Sequence, residues 1–261
     1  MRSPASSPDL SSFWIVPAVG GEATPFYVNA HLQATRPDWS RSRPSFEIAF
    51  TGIDDRNRTG LHLLDVKTRQ TQFIPTPDSD GDKPEYPSWY PDGRSLVFTN
   101  YKETLHQLMH TDLVNPPVPL TDPSVIWAGM SSVSPDTRAG NPIVFAGQVP
   151  NSSGYKEDTN QIWILEPGRS LVQLDPGQGR APWWSPKGSL VAFESNRPFG
   201  SSQSYRIFIQ SGEEIGSEDA TPVTPFATSV QHAKWSHNGK QIVFAAGFPV
   251  GGGGIAIADL G

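Results

Sequence analysis

The phrase "PSWYPDGRSLVF", Pro87 to Phe98, returns as "PWWSPKGSLVAF" at Pro182 to Phe193. A chain that repeats itself at this spacing is confined to stacks or rings of like units, because one unit alone cannot bury its apolar face. The phrase occurs five times. The copies are "RPDWSRSRPSFEIAF" from Arg36, "YPSWYPDGRSLVF" from Tyr86, "MSSVSPDTRAGNPIVF" from Met130, "APWWSPKGSLVAF" from Ala181 and "HAKWSHNGKQIVF" from His232. Trp39, Trp89, Val133, Trp184 and Trp235 hold the register, at separations of 50, 44, 51 and 51 residues. Every copy closes on a phenylalanine: Phe50, Phe98, Phe145, Phe193 and Phe244. Five aligned phenylalanines out of thirteen in the chain are hard to obtain by chance.

Turn chemistry explains the phrase. In "YPDG" and "SPKG" the proline presets φ at the first corner, and the glycine supplies the left-handed residue that closes a short hairpin. In "SHNG" the proline is gone but Asn238-Gly239 keeps the signal, while the first and third copies have longer turns without the glycine. After each phenylalanine come a polar loop and a second run: "GLHLLDV", "LHQLMHTDL", "NQIWILEP", "YRIFIQS" and "GIAIADL". A weaker fourth run follows in four units: "TQFIP", "VPLTD", "LVQLD" and "TPVTPF". Four short strands per unit of 40–50 residues, with no helical period, predict an all-β propeller of four-stranded blades. The aromatic of the first strand and the phenylalanine of the second are expected to pack between neighbouring blades.

The pattern P-x-W-S-P-D-G followed by an apolar triplet ending in Phe resembles the WD40-like (PD40) repeat of TolB-type β-propellers. The runs "HLLDV", "IWILE" and "IAIAD" resemble that family's third-strand segment, and "FESNRP" at Phe193 resembles its F-T-S-D-R loop. The resemblance covers Phe13 to the C-terminus. It implies a TolB-like propeller, an envelope protein in the periplasm or secreted, and a partner peptide docked at the channel mouth. It also implies six blades, whereas five inner-strand phrases favour five. The ends bear on this. "FWIVPAVGGEATPFYV", Phe13 to Val28, reads as third and fourth strands without a first or second, and the last unit has three strands without a fourth. Pairing of "TPFYV" with "IAIADL" would therefore close the ring, leaving "FWIVPA" surplus; a sixth blade would have to lack its inner strands, or the ring would be open. Residues 1–12 are expected to form a flexible N-terminus and 13–261 a single domain.

The net charge of −6, with no basic stripe, argues against nucleic acid as a partner. No apolar run approaches the roughly 18 residues of a membrane span. "MRSPASSPDLSS" lacks the apolar core of a signal peptide, so a cytoplasmic location stays compatible with the sequence. The chain has no cysteine, which removes disulfide and thiolate chemistry.

Catalytic signatures are few: there is no G-x-S-x-G, H-E-x-x-H or P-loop pattern. His106 and His110, four apart on a strand, would stand some 13 Å apart, too far to share an ion. In "DSDGDKPE", residues 78–85, alternate aspartates around Gly81 offer a weak calcium loop, against the plainer reading of a solvated acidic turn. No catalytic residue, metal ligand or cofactor is otherwise expected. Propeller ligands enter where loops meet the inner strands, which here selects Arg36, Tyr86, Met130, Arg180 and His232. Two arginines, an aromatic, a histidine and a thioether suit an acidic peptide or carboxylate. Trp127 and Trp183 fall outside the repeat register, as exposed anchors or as core filling. The resulting expectation is a monomeric, non-catalytic scaffold that binds a protein or peptide. The alternatives are an enzyme or enzyme-associated propeller (peptidase-gating, lyase or hydrolase), or a carbohydrate-binding module.

Overall fold

A computed structural model describes residues 13–40, 42–76, 81–102, 105–166, 168, 171–197, 205–217, 219–224, 229–247 and 253–261. Among these the regular secondary structure is all strand apart from one turn of 3-10 helix at Glu157–Thr159. No helix among the described residues is long and apolar enough to cross a membrane. The N-terminal strands β1 (Phe13–Ile15) and β2 (Thr24–Tyr27) form a hairpin. Blade 1 is β3 (Leu32–Trp39), β4 (Ile48–Asp54), β5 (Thr59–Leu64) and β6 (Thr71–Ile74). Blade 2 is β7 (Asp82–Trp89), β8 (Leu96–Lys102), β9 (Leu105–Thr111) and β10 (Val118–Pro119). Blade 3 is β11 (Trp127–Val133), β12 (Ile143–Gln148), β13 (Gln161–Leu165) and β14 (Leu171–Asp175). Blade 4 is β15 (Arg180–Trp184), β16 (Leu190–Ser195), β17 (Arg206–Ser211) and β18 (Thr221–Pro222). Blade 5 has three described strands, β19 (Val230–Trp235), β20 (Gln241–Gly247) and β21 (Gly253–Asp259). Each blade is an antiparallel meander in chain order.

The predicted turns are present: Gly93 and Gly188 take φ of 65° and 72°, and their N–H groups close the turns onto Tyr90 and Ser185 carbonyls. Because blades 1 to 3 are packed on both faces, their second strands do not alternate. Ile48–Phe50, Leu96–Phe98 and Ile143–Phe145 are therefore unbroken apolar runs, buried throughout. Phe50, Phe98, Phe145 and Phe193 are fully buried. Each contributes about 1.5–3 kcal/mol by burial. At the junction of blades 1 and 2, Leu61, Leu63 and Ile74 meet Trp89 and Phe98. Leu108 meets Val133 and Phe145 at the next junction, and Ile162 and Ile164 meet Trp184 and Phe193 at the third. Between blades 4 and 5, Ile207 packs with Phe244, and Trp235 lies alongside.

Polar staples join the inner strands. The Trp89 N–H donates to Asp38 Oδ2 at 2.7 Å, Val133 N–H to Ser88 Oγ at 3.0 Å, and Trp184 N–H to Ser132 Oγ at 3.2 Å. These acceptors occupy one repeat position. At the fourth junction that position is Trp183, whose carbonyl accepts from the Trp235 indole N–H at 3.1 Å.

The expected latch between the chain ends does not form. β2 pairs with β1, and neither β1 nor β2 hydrogen-bonds to β21. A local hairpin closes a short loop at low entropic cost, whereas the latch requires contact across the whole chain. The hairpin also has its own burial site. Phe13 and Tyr27 lie 5.3 and 6.0 Å from Phe50, centroid to centroid, on the face of blade 1 that is turned away from blade 2. Five blades stand in the ring, and the described residues leave blade 5 without a packed junction to blade 1.

Candidate functional site

All five inner strands carry a β-bulge at one place. The register breaks between Thr35 and Asp38, Glu85 and Ser88, Gly129 and Ser132, Arg180 and Trp183, and Gln231 and Lys234. In each bulge a residue other than glycine has positive φ: Arg36 (50°), Tyr86 (55°), Met130 (53°), Ala181 (45°) and His232 (59°). Such a backbone costs on the order of 1–3 kcal/mol per residue and persists only where its surroundings impose it. The bulge re-aims its residue into the ring's central channel. These five residues line one cavity of about 510 Å³, and Lys234 and Trp183 line it with them.

Four of the five sequence-selected residues, Arg36, Tyr86, Met130 and His232, are bulge residues facing the cavity. Arg180 is not. Ala181 holds the fourth place, because the bulge sits three residues before the register tryptophan or valine in every copy, and Arg180 sits four before Trp184. That constant offset was the signal available in the sequence. Arg180 is instead a strut. Its Nε donates to Glu194 Oε2 at 2.9 Å and its Nη1 to Glu157 Oε1 at 2.7 Å, with the guanidinium 3.7 Å from the Tyr205 ring centroid. Glu194, on β16, is buried and also accepts from the His232 N–H at 2.5 Å. Burial pushes its carboxyl up, against the opposing pull of Arg180 and that N–H.

The Arg36 guanidinium lies 4.2 Å from the Tyr86 ring centroid, with Nε 3.3 Å from Glu85 Oε2. Nε is buried and makes no hydrogen bond. His232 is pushed down by burial and by the nearby cations Arg36, Arg180 and Lys234. Lys234, which sequence reasoning passed over, sits above the Trp183 ring, within electrostatic reach of Asp38 from the other end of the chain. Trp183 borders both this cavity and a second one of about 320 Å³. Trp127 is buried in the core.

Burial lowers the Lys234 ammonium to about 7, and Asp38 partly offsets that. The unfolded chain holds this proton to higher pH than the folded one. Stability is therefore expected to rise with pH from about 7 to about 10 and to level off below 7, where both states hold the proton. Between pH 7 and 9 the gain should be about 2–3 kcal/mol. Urea denaturation of Lys234→Met should show that slope flattened, and an unchanged slope would contradict this placement of Lys234.

Next to the cavity stands a chain of rings. Tyr86 and Tyr101 are 6.2 Å apart, Tyr101 and His106 4.6 Å, and His106 and Tyr155 3.9 Å. Burial lowers His106 to about 4, and its Nδ1 has no hydrogen-bond partner. His110 packs instead against Tyr90, 5.6 Å away. Of the acidic run, Asp78 and Asp80 lie outside the described residues, and Asp82 accepts from Asn100 Nδ2 at 2.9 Å. Among the described residues no three His, Asp or Glu side chains gather in a way that would hold a metal ion.

No protein-family model matches the chain, and no curated protein matches its sequence. Solved structures do match. TolB from Acinetobacter baumannii superposes with a TM-score of 0.74 at 22% identity, over 95% of this chain and 57% of that one. A putative TolB from Agrobacterium tumefaciens gives 0.69 at 14% identity, over 92% and 81%. The β-propeller domain of the Trilobed protease from Pyrococcus furiosus, described as having an open velcro topology, gives 0.59 at 12% identity, over 98% and 90%. The chain thus spans 57% of the length of the A. baumannii TolB structure. On this evidence the chain is a five-bladed β-propeller of the TolB-like fold.

Proposed function

We propose that this propeller is a non-catalytic scaffold that binds a protein or peptide segment at the channel mouth, in the periplasm or outside the cell. The observation that carries this reading is the convergence of five left-handed bulge residues, one per blade, on a single cavity. An extended segment with a carboxylate matches its chemistry. Arg36 brings a guanidinium to the cavity wall, Tyr86 offers an aromatic face, and Met130 and Ala181 line apolar wall. A charge-assisted hydrogen bond from arginine to carboxylate contributes about 1.5–3 kcal/mol.

A peptide array of matched acidic and amidated sequences tests this. Acidic members should bind best, and Arg36→Ala should weaken them about tenfold or more. Equal binding of acidic and neutral peptides, or affinity indifferent to Arg36→Ala, would rule the reading out. The superposition on a protease propeller domain keeps an enzyme-associated role as the second reading. Copurification of a peptidase domain whose substrate entry depends on this ring would favour it.

A further inference from the structure

The repeat position just before the register residue carries Asp38, Ser88, Ser132, Trp183 and Lys234, one from each blade. Three of these offer an acceptor side chain, and each holds the next inner strand with it. Asp38 takes the Trp89 N–H, Ser88 that of Val133 and Ser132 that of Trp184. An ammonium has no lone pair to offer, so Lys234 cannot act as a staple of this kind. It lies on β19, two residues after the His232 bulge, and lines the cavity of about 510 Å³ together with Arg36, Tyr86, His232 and Trp183. Among the described residues its Nζ rests on the Trp183 ring and feels the Asp38 carboxylate through space, with no hydrogen bond between the two. Asp38 Oδ2 is already engaged by the Trp89 N–H.

An amine placed this way is a nucleophile facing a cavity. Burial disfavours its ammonium form and brings it to about 7, so a large share is free amine at neutral pH. An ordinary lysine stays almost wholly charged there. Desolvation in an apolar or aromatic pocket is what prepares a lysine to form an imine with a carbonyl compound. The same cavity also selects the electrophile. Its volume suits a small molecule, and the Arg36 guanidinium on its wall suits a carboxylate.

We propose that Lys234 captures a small aldehyde bearing a carboxylate, by forming an imine with it while Arg36 holds the carboxylate. The Lys234 nitrogen lone pair adds to the carbonyl carbon, and the C=O π pair moves onto oxygen. A proton passes from nitrogen to that oxygen, which gives a carbinolamine. A further proton then goes to the hydroxyl, which leaves as water while the nitrogen lone pair closes the C=N bond. The proton remaining on nitrogen replaces the one spent. His232, on the wall of the same cavity, carries these protons between nitrogen and oxygen. Amine and aldehyde thus become imine and water, and nothing is oxidised or reduced. Capture shares with peptide binding only the carboxylate contact at Arg36. It is scored by a covalent mass and not by an affinity, so either reading can fail while the other stands.

The probes are glyoxylate and succinic semialdehyde, with neutral butanal for comparison. The full chain is incubated with each at pH 7, reduced with cyanoborohydride, and mapped by peptide mass. With the two acidic aldehydes Lys234 should be labelled about tenfold or more faster than any other lysine. With butanal that lead over the surface lysines of the same sample should shrink. Arg36→Ala should erase the difference between acidic and neutral aldehydes. Lys234→Arg, which keeps a cation on Trp183, should abolish the adduct at this position. His232→Asn, a residue that tolerates the left-handed backbone, should slow the adduct's appearance without lowering its final extent. Labelling that follows exposure, with Lys234 no faster than the surface lysines, overturns the proposal. So does equal labelling of Lys234 by acidic and neutral aldehydes, or an acidic preference that survives Arg36→Ala.

Discussion

Phe145→Ala is expected to lower the unfolding free energy by about 3–5 kcal/mol. The ring is fully buried between blades 2 and 3, among Val97, Leu108, Ile126 and Ile143. Its loss removes transfer free energy and leaves a void, because a blade held on both faces cannot collapse inward. Against a typical total of about 5–15 kcal/mol, this is a large share. Trp39→Ala provides the internal control. Trp39 holds the same register as the buried tryptophans but is 57% exposed, so its truncation should cost about 1 kcal/mol or less. Urea denaturation with an unchanged m-value measures both. If Phe145→Ala shifted the midpoint no further than Trp39→Ala, the junction phenylalanines would not be what holds the blades together.

That pair of residues also shows how far the sequence is legible. Periodicity located Phe145 and Trp39 alike, since both obey the repeat. It could not distinguish them, because burial here depends on the neighbouring blade and not on the residue's own unit. The turns were readable from Pro, Asn and Gly, whose conformational preferences are local. The latch was misread for the same reason. "TPFYV" has the pattern of a strand, but pairing is decided by which partner is near, and Phe13 with Phe50 lies nearer than the far end of the chain.

The channel mouth divides along the same line. A constant offset of three residues from the register tryptophan or valine marks the five bulges, so Arg36, Tyr86, Met130 and His232 were within reach of the sequence. Lys234 and Asp38 carry no local signature, and the ring alone brings them together. Glu194 stands where "FESNRP" departs from the F-T-S-D-R pattern, a visible irregularity whose meaning needed the Arg180 contact.

That contact carries the second large effect. Arg180→Ala should cost about 3–5 kcal/mol, because it strands the Glu194 carboxylate, 1% exposed, with no cation. The pH dependence follows from the sign of the Glu194 shift. Burial already raises this carboxyl in the folded chain, and loss of Arg180 raises it further. The folded state then binds a proton that the unfolded state has released, so the deficit should shrink as pH falls from 7 toward 5. Glu194→Gln in the Arg180→Ala background should recover most of the loss at pH 7, and the four-way cycle isolates the pair from Glu157. A deficit under about 1 kcal/mol, or one that stays constant from pH 7 to 5, would refute the strut. The same bonding decides which arginine can report on a ligand. Glu194 Oε1 accepts from the His232 N–H, so removing Arg180 disturbs a bulge that shapes the cavity. Weaker peptide binding by Arg180→Ala would therefore reflect a deformed mouth as readily as a lost contact. Arg36 pairs with the less deeply buried Glu85 and stacks on Tyr86, so its substitution is read together with Glu85→Gln, which removes the same pair and keeps the cation.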